Sequence, residues 1–206
     1  MQSLQKEIQF LVDLYKAKQL EKAEITANKL IKANPRIALL YNILGLILSD
    51  QNKIEEAIKC YEHGLKVNPE FAMIYNNLGS IYKSRSEYSK AEEYYKKAIQ
   101  YQSNMPEPYN NLGNLYRSTN RYDECETSYK KAIENNPKFY WAFYNLGIHL
   151  TNMGNFDEAK NAFNATIKIN PKFYPAHRSL SRIKKYKTKE DEHIKLLLKL
   201  YNEIKT

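Results

Sequence analysis

Apolar residues recur at helical spacing along most of the chain. In the segment YNNLGSIYK, residues Tyr75, Leu78 and Tyr82 fall at intervals of three and four, so one face of a helix would be apolar. The segment YNNLGNLYR repeats the same arrangement, with Tyr109 in the place of Tyr75. The pattern predicts amphipathic helices, written more than once in the same form.

The two segments begin 34 residues apart, and several positions that require particular residue types recur at the same interval. A Leu-Gly pair is followed by a small residue 12 positions after the glycine and by an aromatic residue four positions later, and in three of the units proline follows eight positions after that. Since proline stops a helix, each period predicts two helices and a break. The Leu-Gly pairs are Leu44-Gly45, Leu78-Gly79, Leu112-Gly113 and Leu146-Gly147.

These positions resemble the tetratricopeptide repeat (TPR) family, whose unit is a helix–turn–helix of about 34 residues. The resemblance implies an all-α, right-handed superhelical solenoid. It places five units at residues 4–37, 38–71, 72–105, 106–139 and 140–173, followed by a partial repeat and capping helix at 174–206. We expect each glycine to allow close approach of the second helix, at Ala91 in the third unit. Pro106 should occupy the first position of its helix.

The end of the chain predicts two further helices. In PAHRSLSRIKKYK, residues His177, Leu180 and Ile183 would form the inner face of another first helix, and Thr188 to Asp191 form a capping box for the last one. Leu196 and Leu200 fall outside the apolar stripe of that last helix. We interpret them as a docking surface, which would also permit self-association; ordinary burial is the alternative. The stripe itself comprises Ile194, Leu197, Leu198 and Tyr201.

The segment AHRSLSRIKKYKTKEDEHIKLL is similar to the region that follows the repeats in bacterial TPR sulfotransferases. This similarity implies a second hypothesis, that the chain is the substrate-recruiting front part of a sulfotransferase or an O-linked glycosyltransferase. GSIYKSRS, from Gly79 to Ser86, belongs to a repeat helix and is not a phosphate-binding loop, so the catalytic domain is expected to be absent.

Composition and charge narrow the functional classes. No apolar run approaches the roughly 20 residues that span a bilayer, and the N-terminus lacks the features of a secretory signal, so we expect a cytoplasmic protein without membrane contact. Cys60 and Cys125 are far apart, which argues against a disulfide framework or a thiolate zinc site. The net charge is +9, of which +6 falls in residues 172–206.

Catalytic signals are weak. The histidines His63, His149, His177 and His193 show no metal-ligand spacing, and no nucleophile motif occurs. We therefore predict no enzyme activity, no metal and no cofactor. The basic tail would suit phosphate contacts, but no aromatic stacking platform or known reader accompanies it, so a nucleic-acid partner is not expected. The tail cations are Arg182, Lys184, Lys185, Lys187 and Lys189.

Repeated asparagine is the strongest binding signal. Asparagine is a mediocre helix former, yet it recurs before each Leu-Gly pair, and its carboxamide can match the backbone of an extended peptide. One row comprises Asn42, Asn76 and Asn110, and a second row, one residue later, comprises Asn77, Asn111 and Asn145. The second row resembles the peptide-holding ladder of the O-linked N-acetylglucosamine transferase repeats. A repeat consensus in an Asn-rich proteome is the alternative, and the pattern disfavours a carboxylate clamp for chaperone tails. The groove candidates are Asn42, Asn76, Asn77, Ser80, Lys83, Asn110, Asn111, Asn114, Arg117, Trp141, Tyr144 and Asn145.

Overall fold

The computed structural model describes residues 2–185 and 191–205, and in these residues the chain is entirely helical. The predicted all-α fold is therefore confirmed. None of these helices is long and apolar enough to cross a membrane. The helices are α1 (Gln2–Lys16), α2 (Leu20–Ala33), α3 (Ala38–Asp50), α4 (Ile54–Val67), α5 (Ala72–Ser84), α6 (Tyr88–Tyr101), α7 (Pro106–Ser118), α8 (Tyr122–Asn135), α9 (Tyr140–Asn152), α10 (Phe156–Ile169), α11 (Tyr174–Ile183) and α12 (Glu192–Lys205).

The chain divides into two compact units, Met1–Asn111 and Leu112–Thr206. In the first unit, each helix from α1 to α5 contacts the next one, and the first helices also meet, α1 with α3 and α3 with α5. Leu11, Leu40, Ile47 and Ile74 are completely buried between them. The helices thus pack locally, each against its neighbours in sequence, as in a repeat array.

In the second unit, α8 contacts α9, α9 contacts α10, and α10 contacts α11. Tyr129, Phe163 and Leu180 are fully buried here. α7 begins at Pro106 as predicted, because a proline at the first helical position loses no hydrogen bond.

The recurring glycine makes room for an aromatic ring of the second helix. A Cβ added at Gly79 would lie 2.7 Å from the Tyr95 ring, and one at Gly113 would lie 2.5 Å from the Tyr129 ring. The close approach that we expected at Ala91 is thus made by the ring of Tyr95, while Ala91 is itself fully buried. The glycine and the aromatic residue 16 positions later therefore act as a matched pair.

The turn between the two helices of each repeat contains one residue with a left-handed backbone. The next residue donates its N–H to a carbonyl five residues back, as Lys53 does to Leu48 at 2.9 Å, which satisfies the end of the helix. This feature could not be predicted from the sequence, because four of the five residues are not glycine. They are Lys18 (φ 56°), Asn52 (φ 63°), Ser86 (φ 61°), Asn120 (φ 59°) and Gly154 (φ 82°).

A side chain near the start of a first helix bonds to the proline carbonyl of the preceding repeat. The Tyr41 hydroxyl donates to the Pro35 carbonyl at 3.1 Å, and Tyr75 donates to Pro69 at 2.9 Å. In α11, His177 takes this position, with Nε2 lying 2.8 Å from the Pro171 carbonyl oxygen. α11 therefore continues the repeat register as a first helix. His177 and Leu180 are buried and Ile183 is half-buried.

Candidate peptide-binding surface

Hydrogen bonds join the asparagines of consecutive first helices in the first unit. Nδ2 of Asn77 on α5 donates to Oδ1 of Asn42 on α3 at 2.9 Å. Nδ2 of Asn111 on α7 donates to Oδ1 of Asn76 on α5, also at 2.9 Å. Because the partners are 35 residues apart, each bond links two successive repeats. We call these four residues the asparagine ladder.

The first row of asparagines is part of the protein interior. Asn42 is 1% exposed, Asn76 is 8% exposed and Asn110 is 7% exposed. Their predicted place on a groove surface is therefore wrong. A buried carboxamide needs hydrogen-bond partners, and for Asn42 and Asn76 the next repeat supplies one. At these two positions the asparagine is explained by packing between repeats.

The second row is placed differently. Asn77 and Asn111 are half-buried, and each uses one N–H of its carboxamide for the ladder. In residues 2–185 and 191–205 neither makes a further side-chain hydrogen bond, so the carboxamide oxygen and the second N–H of each face no competing protein group. The ladder bond also fixes how each carboxamide is turned. These two side chains are oriented groups with binding capacity left.

Ser80 and Lys83 follow Asn77 on α5. Ser80 is exposed; its hydroxyl donates to the Asn76 carbonyl at 3.1 Å and accepts from the Tyr95 hydroxyl at 3.3 Å. Lys83 is half-buried in the last turn of the helix. α5 therefore presents a carboxamide, a hydroxyl and a cation within two turns.

In the second unit, the same positions carry Asn114 and Arg117. Oδ1 of Asn114 accepts from the Tyr129 hydroxyl at 2.8 Å and from Nη2 of Arg117 at 3.5 Å. Burial raises the pKa of Tyr129, so its hydroxyl stays protonated and keeps donating. Asn114 is thus committed to its own chain, and Arg117 is the residue here with charge to offer.

An aromatic cluster lies between α9 and the start of α11. The Trp141 ring is 4.8 Å from the Phe173 ring and 5.2 Å from the Tyr140 ring, measured between centroids. Tyr144 packs edge-on against Phe173 at 5.1 Å. Trp141 is 43% exposed although these rings support it, and Asn145 is half-buried beside them on α9. The sequence predicted Trp141 and Tyr144 but missed Tyr140 and Phe173, which share no short motif with them.

The predicted docking surface on α12 needs correction. Leu200 is 4% exposed and Leu196 is half-buried, whereas Leu198 and Tyr201 are 57% and 56% exposed. The sequence assigned the inner and outer sides the wrong way round, because leucines at 196, 197, 198 and 200 leave the stripe ambiguous. His193 decides the orientation, since its buried ring pairs with His177 on α11. Self-association through α12 stays a prediction.

The basic tail is only partly described. Lys187 and Lys189 lie outside the described residues, as do Thr188 and Glu190 of the predicted capping box. Asp191 accepts the backbone N–H of His193 at 2.9 Å and so caps α12. It also pairs with Lys184 at 2.7 Å, and this bond holds the pKa of Asp191 below its usual range. Lys184 is therefore engaged within the chain.

A cysteine–histidine contact that was not predicted from the sequence occurs in the second unit. Sγ of Cys125 lies 3.5 Å from Nδ1 of His149, and Glu126 lies 3.9 Å from Nε2. Burial raises the pKa of the Cys125 thiol to about 11 and lowers the pKa of His149. The pair is thus neutral near pH 7, and exposures of 0% and 2% keep it from a substrate. It is a packing contact and not a nucleophile with its base.

Comparison with known families agrees with this architecture. Models of the tetratricopeptide repeat match residues 72–105, 106–139 and 140–173, and a further TPR model matches residues 45–84. Together the matches extend over residues 45–173, well over half of the chain. The chain belongs to the tetratricopeptide repeat family. No curated protein matches the TPR chain as a relative.

Several solved structures resemble this TPR protein. A chain of the APC/C hetero-tetramer Cut9–Hcn1 superimposes with a TM-score of 0.76 at 14% identity; the match covers 87% of this chain but only 36% of that one. PilF of Pseudomonas aeruginosa gives 0.75 at 14% identity over 98% and 92% of the two chains. YrrB, described as a TPR protein with an unusual peptide-binding site, gives 0.59 at 23% over 85% and 91%. At these identities the likeness concerns the fold.

Proposed function

We propose that this TPR protein is a non-catalytic scaffold that binds an extended segment of a partner protein along its first helices. The asparagine ladder carries the proposal. Asn77 and Asn111 are each oriented by a bond to the preceding repeat, and each keeps an acceptor and a donor that no other described side chain uses. A row of oriented carboxamides suits a ligand with the same groups in regular order.

The backbone of an extended peptide is such a ligand. Each of its residues presents one N–H and one C=O, and a carboxamide can bond to both kinds of group. Packed helices lie about 8–10 Å apart and an extended chain advances about 3.3 Å per residue, so successive ladder carboxamides would meet backbone groups about three residues apart. Recognition through the backbone tolerates many side chains, which fits a scaffold with more than one client.

In the second unit, the aromatic cluster supplies a different kind of contact. Trp141 is held by Tyr140 and Phe173 while almost half of its surface stays exposed. A supported, partly exposed tryptophan is a frequent anchor in protein interfaces, because it buries a large area with little loss of conformational freedom. We propose that it packs on an apolar side chain of a partner protein.

A non-catalytic role is consistent with the chemistry of the interior. The Cys125–His149 contact is neutral and sealed by burial, so it offers no nucleophile to a substrate. YrrB, which shares the fold, is described as having a peptide-binding site. For the present chain, peptide binding is our proposal.

The test is selection from a random peptide library, followed by fluorescence anisotropy with the peptides recovered. Replacing Asn77 and Asn111 with alanine removes two sets of backbone bonds, each worth about 0.5–1.5 kcal/mol, so we expect affinity to fall by roughly tenfold or more. The matched control replaces Asn161 and Asn164, two exposed asparagines on the second helix α10, and should bind as the wild type does.

Circular dichroism and thermal unfolding of each variant separate lost binding from lost structure. Equal affinities for the wild type and a folded Asn77→Ala/Asn111→Ala variant would show that the ladder does not bind the peptides. Failure of every library peptide to bind the wild type would contradict the proposed function itself.

A further inference from the structure

A cavity of about 500 Å³ opens among α2, α3 and α4 in the first unit, away from the ladder. Its floor is apolar and includes the buried side chains of Leu44, Leu48 and Cys60. Its rim is polar and includes the exposed side chains of Glu56 and His63. On α3, the floor residues and Asn42 point in directions roughly 100° or more apart, since each helical residue turns by about 100°. The cavity is thus a separate feature from the proposed peptide-binding surface.

The repeat register shows what fills this space elsewhere. One repeat after Leu48 comes Tyr82, and one repeat after Cys60 comes Tyr94. The rings of Tyr82 and Tyr94 stack with centroids 5.2 Å apart and planes 3° from parallel. Where the third repeat has two stacked phenol rings, the second has a leucine and a thiol. The cavity therefore lies where the next repeat places a tyrosine pair.

The surroundings of the missing rings are retained. Tyr41 stacks with His63 at 6.4 Å, and its counterpart Tyr75 lies 6.2 Å from Tyr94. The Cys60 thiol donates to the Tyr41 carbonyl oxygen at 3.3 Å. This hydrogen bond holds the small Cys60 side chain in the floor of the cavity, so the space above it stays open. An incoming ring would thus meet an aromatic wall and an apolar floor.

One position of the rim differs from its counterpart in the next repeat in the sign of its charge. There, the ammonium of Lys90 lies 5.0 Å from the centre of the Tyr82 ring. The position of Lys90 corresponds to Glu56 at the cavity rim. A carboxylate at this point disfavours the face of a bare ring but accepts a hydrogen bond from a phenol hydroxyl. The cavity therefore suits tyrosine better than phenylalanine.

The geometry points to a binding site for a tyrosine side chain of a partner protein, with the ring on Leu48 and Cys60 and the hydroxyl donating to Glu56. The tyrosine ring of the partner would occupy the space that Tyr82 and Tyr94 fill in the third repeat. The site does not depend on the asparagine ladder and lies on another face of α3. It gives the protein a second, side-chain-specific contact beside any backbone recognition.

The experiment is an NMR titration of the full chain, labelled with ¹⁵N, using N-acetyl-tyrosinamide as probe. We expect saturable shifts at the amides of Leu48, Cys60 and His63. N-acetyl-leucinamide, which cannot stack, should bind about tenfold more weakly. The Asn77→Ala/Asn111→Ala variant should keep the response to N-acetyl-tyrosinamide, because the ladder is a different site. No saturable shift at these amides, or equal binding of both probes, would overturn the assignment.

Two variants sharpen the result. Leu48→Tyr/Cys60→Tyr installs the missing pair, so it should abolish probe binding and raise the unfolding temperature; a folded variant that still binds would overturn the proposal. Glu56→Gln changes only an exposed side chain and should fold normally. It should reduce the preference for N-acetyl-tyrosinamide over N-acetyl-phenylalaninamide, and an unchanged preference would contradict the role of Glu56.

Discussion

Asparagine side chains in this protein form hydrogen bonds with residues of the neighbouring repeat. Asparagine recurs at two adjacent positions of the first helices, and from the sequence we predicted that both positions bind a ligand. The structure separates them, because Asn42 is buried and bonded to Asn77, which is half-buried. A sequence shows that a residue recurs. Its burial depends on how successive repeats pack against each other, and this packing cannot be read from the residues of one repeat alone.

A double-mutant cycle on Asn42 and Asn77 measures this link. Asn42→Ala should lower the free energy of unfolding by about 1–3 kcal/mol, since it removes a buried carboxamide and leaves its neighbour without a partner. Asn77→Ala should cost a comparable amount, because it leaves the buried Oδ1 of Asn42 without its donor. We expect the two changes to be non-additive by roughly 1 kcal/mol in urea unfolding. Strict additivity would show that the 2.9 Å bond contributes nothing.

At the scale of the helix, the ends and turns carry information that the hydrophobic pattern lacks. The helices themselves follow from apolar spacing, and α7 begins at Pro106 as predicted. The left-handed turn residue was missed because Lys18, Asn52, Ser86 and Asn120 share no residue type. The two helices that this residue connects impose its left-handed backbone conformation, and the side chain does not favour that conformation.

This conformation predicts a stabilising substitution at Ser86, whose φ is 61°. A non-glycine residue loses about 1–2 kcal/mol in this region, whereas glycine loses about 0.5–1 kcal/mol of chain entropy, so Ser86→Gly should stabilise the protein by about 0.5–1 kcal/mol. The control is Ser84→Gly at the end of helix α5, which should destabilise by a similar amount. Urea unfolding that shows the same sign for both changes would refute the argument.

The contact between α11 and α12 includes two buried histidines that face each other. Nε2 of His177 donates to the Pro171 carbonyl oxygen, and Nδ1 of the same ring lies 2.9 Å from Nε2 of His193, within hydrogen-bonding distance. The rings are stacked with planes 6° apart, and both are nearly inaccessible. Tyr174 lies beside His177 at 6.4 Å, and the Lys184–Asp191 pair flanks the contact. The sequence placed His177 correctly but could not show that His193 faces it.

We expect this contact to weaken in acid. Burial first, and then the charges of His177 and Lys184, lower the pKa of His193 from 6.5 to about 4 in the folded protein. The unfolded chain therefore binds the proton more readily, so the stabilisation is complete above pH 6.5 and is lost as the pH falls toward 4. Each pKa unit corresponds to about 1.4 kcal/mol.

Hydrogen exchange of the α12 amides between these pH values measures the effect. Protection should fall with pH in the wild type. It should fall much less in His193→Gln, which keeps a hydrogen-bonding side chain that does not titrate. The same pH profile in both proteins would show that other groups control the docking of α12.

At the scale of the whole molecule, the regular period of the sequence was enough to predict the repeat family. The helices follow from it, because the same residue types recur at the same positions of each repeat. The direct packing of each glycine against an aromatic ring was not predicted. Features that occur once could not be read in this way. Leu200 was placed on the wrong side of α12, and Phe173 beside Trp141 was not anticipated. The similarity of the tail to TPR sulfotransferases stays a prediction.

The two buried thiols make the chain convenient for chemical labelling. Burial raises the pKa of Cys60 to about 12 and that of Cys125 to about 11, so almost no reactive thiolate exists at neutral pH. A fluorophore or cross-linker aimed at a new surface cysteine, for example in place of Ser80, would leave both native sulfurs untouched. Distances to a captured partner can thus be mapped in the natural background, with no need to delete either cysteine first.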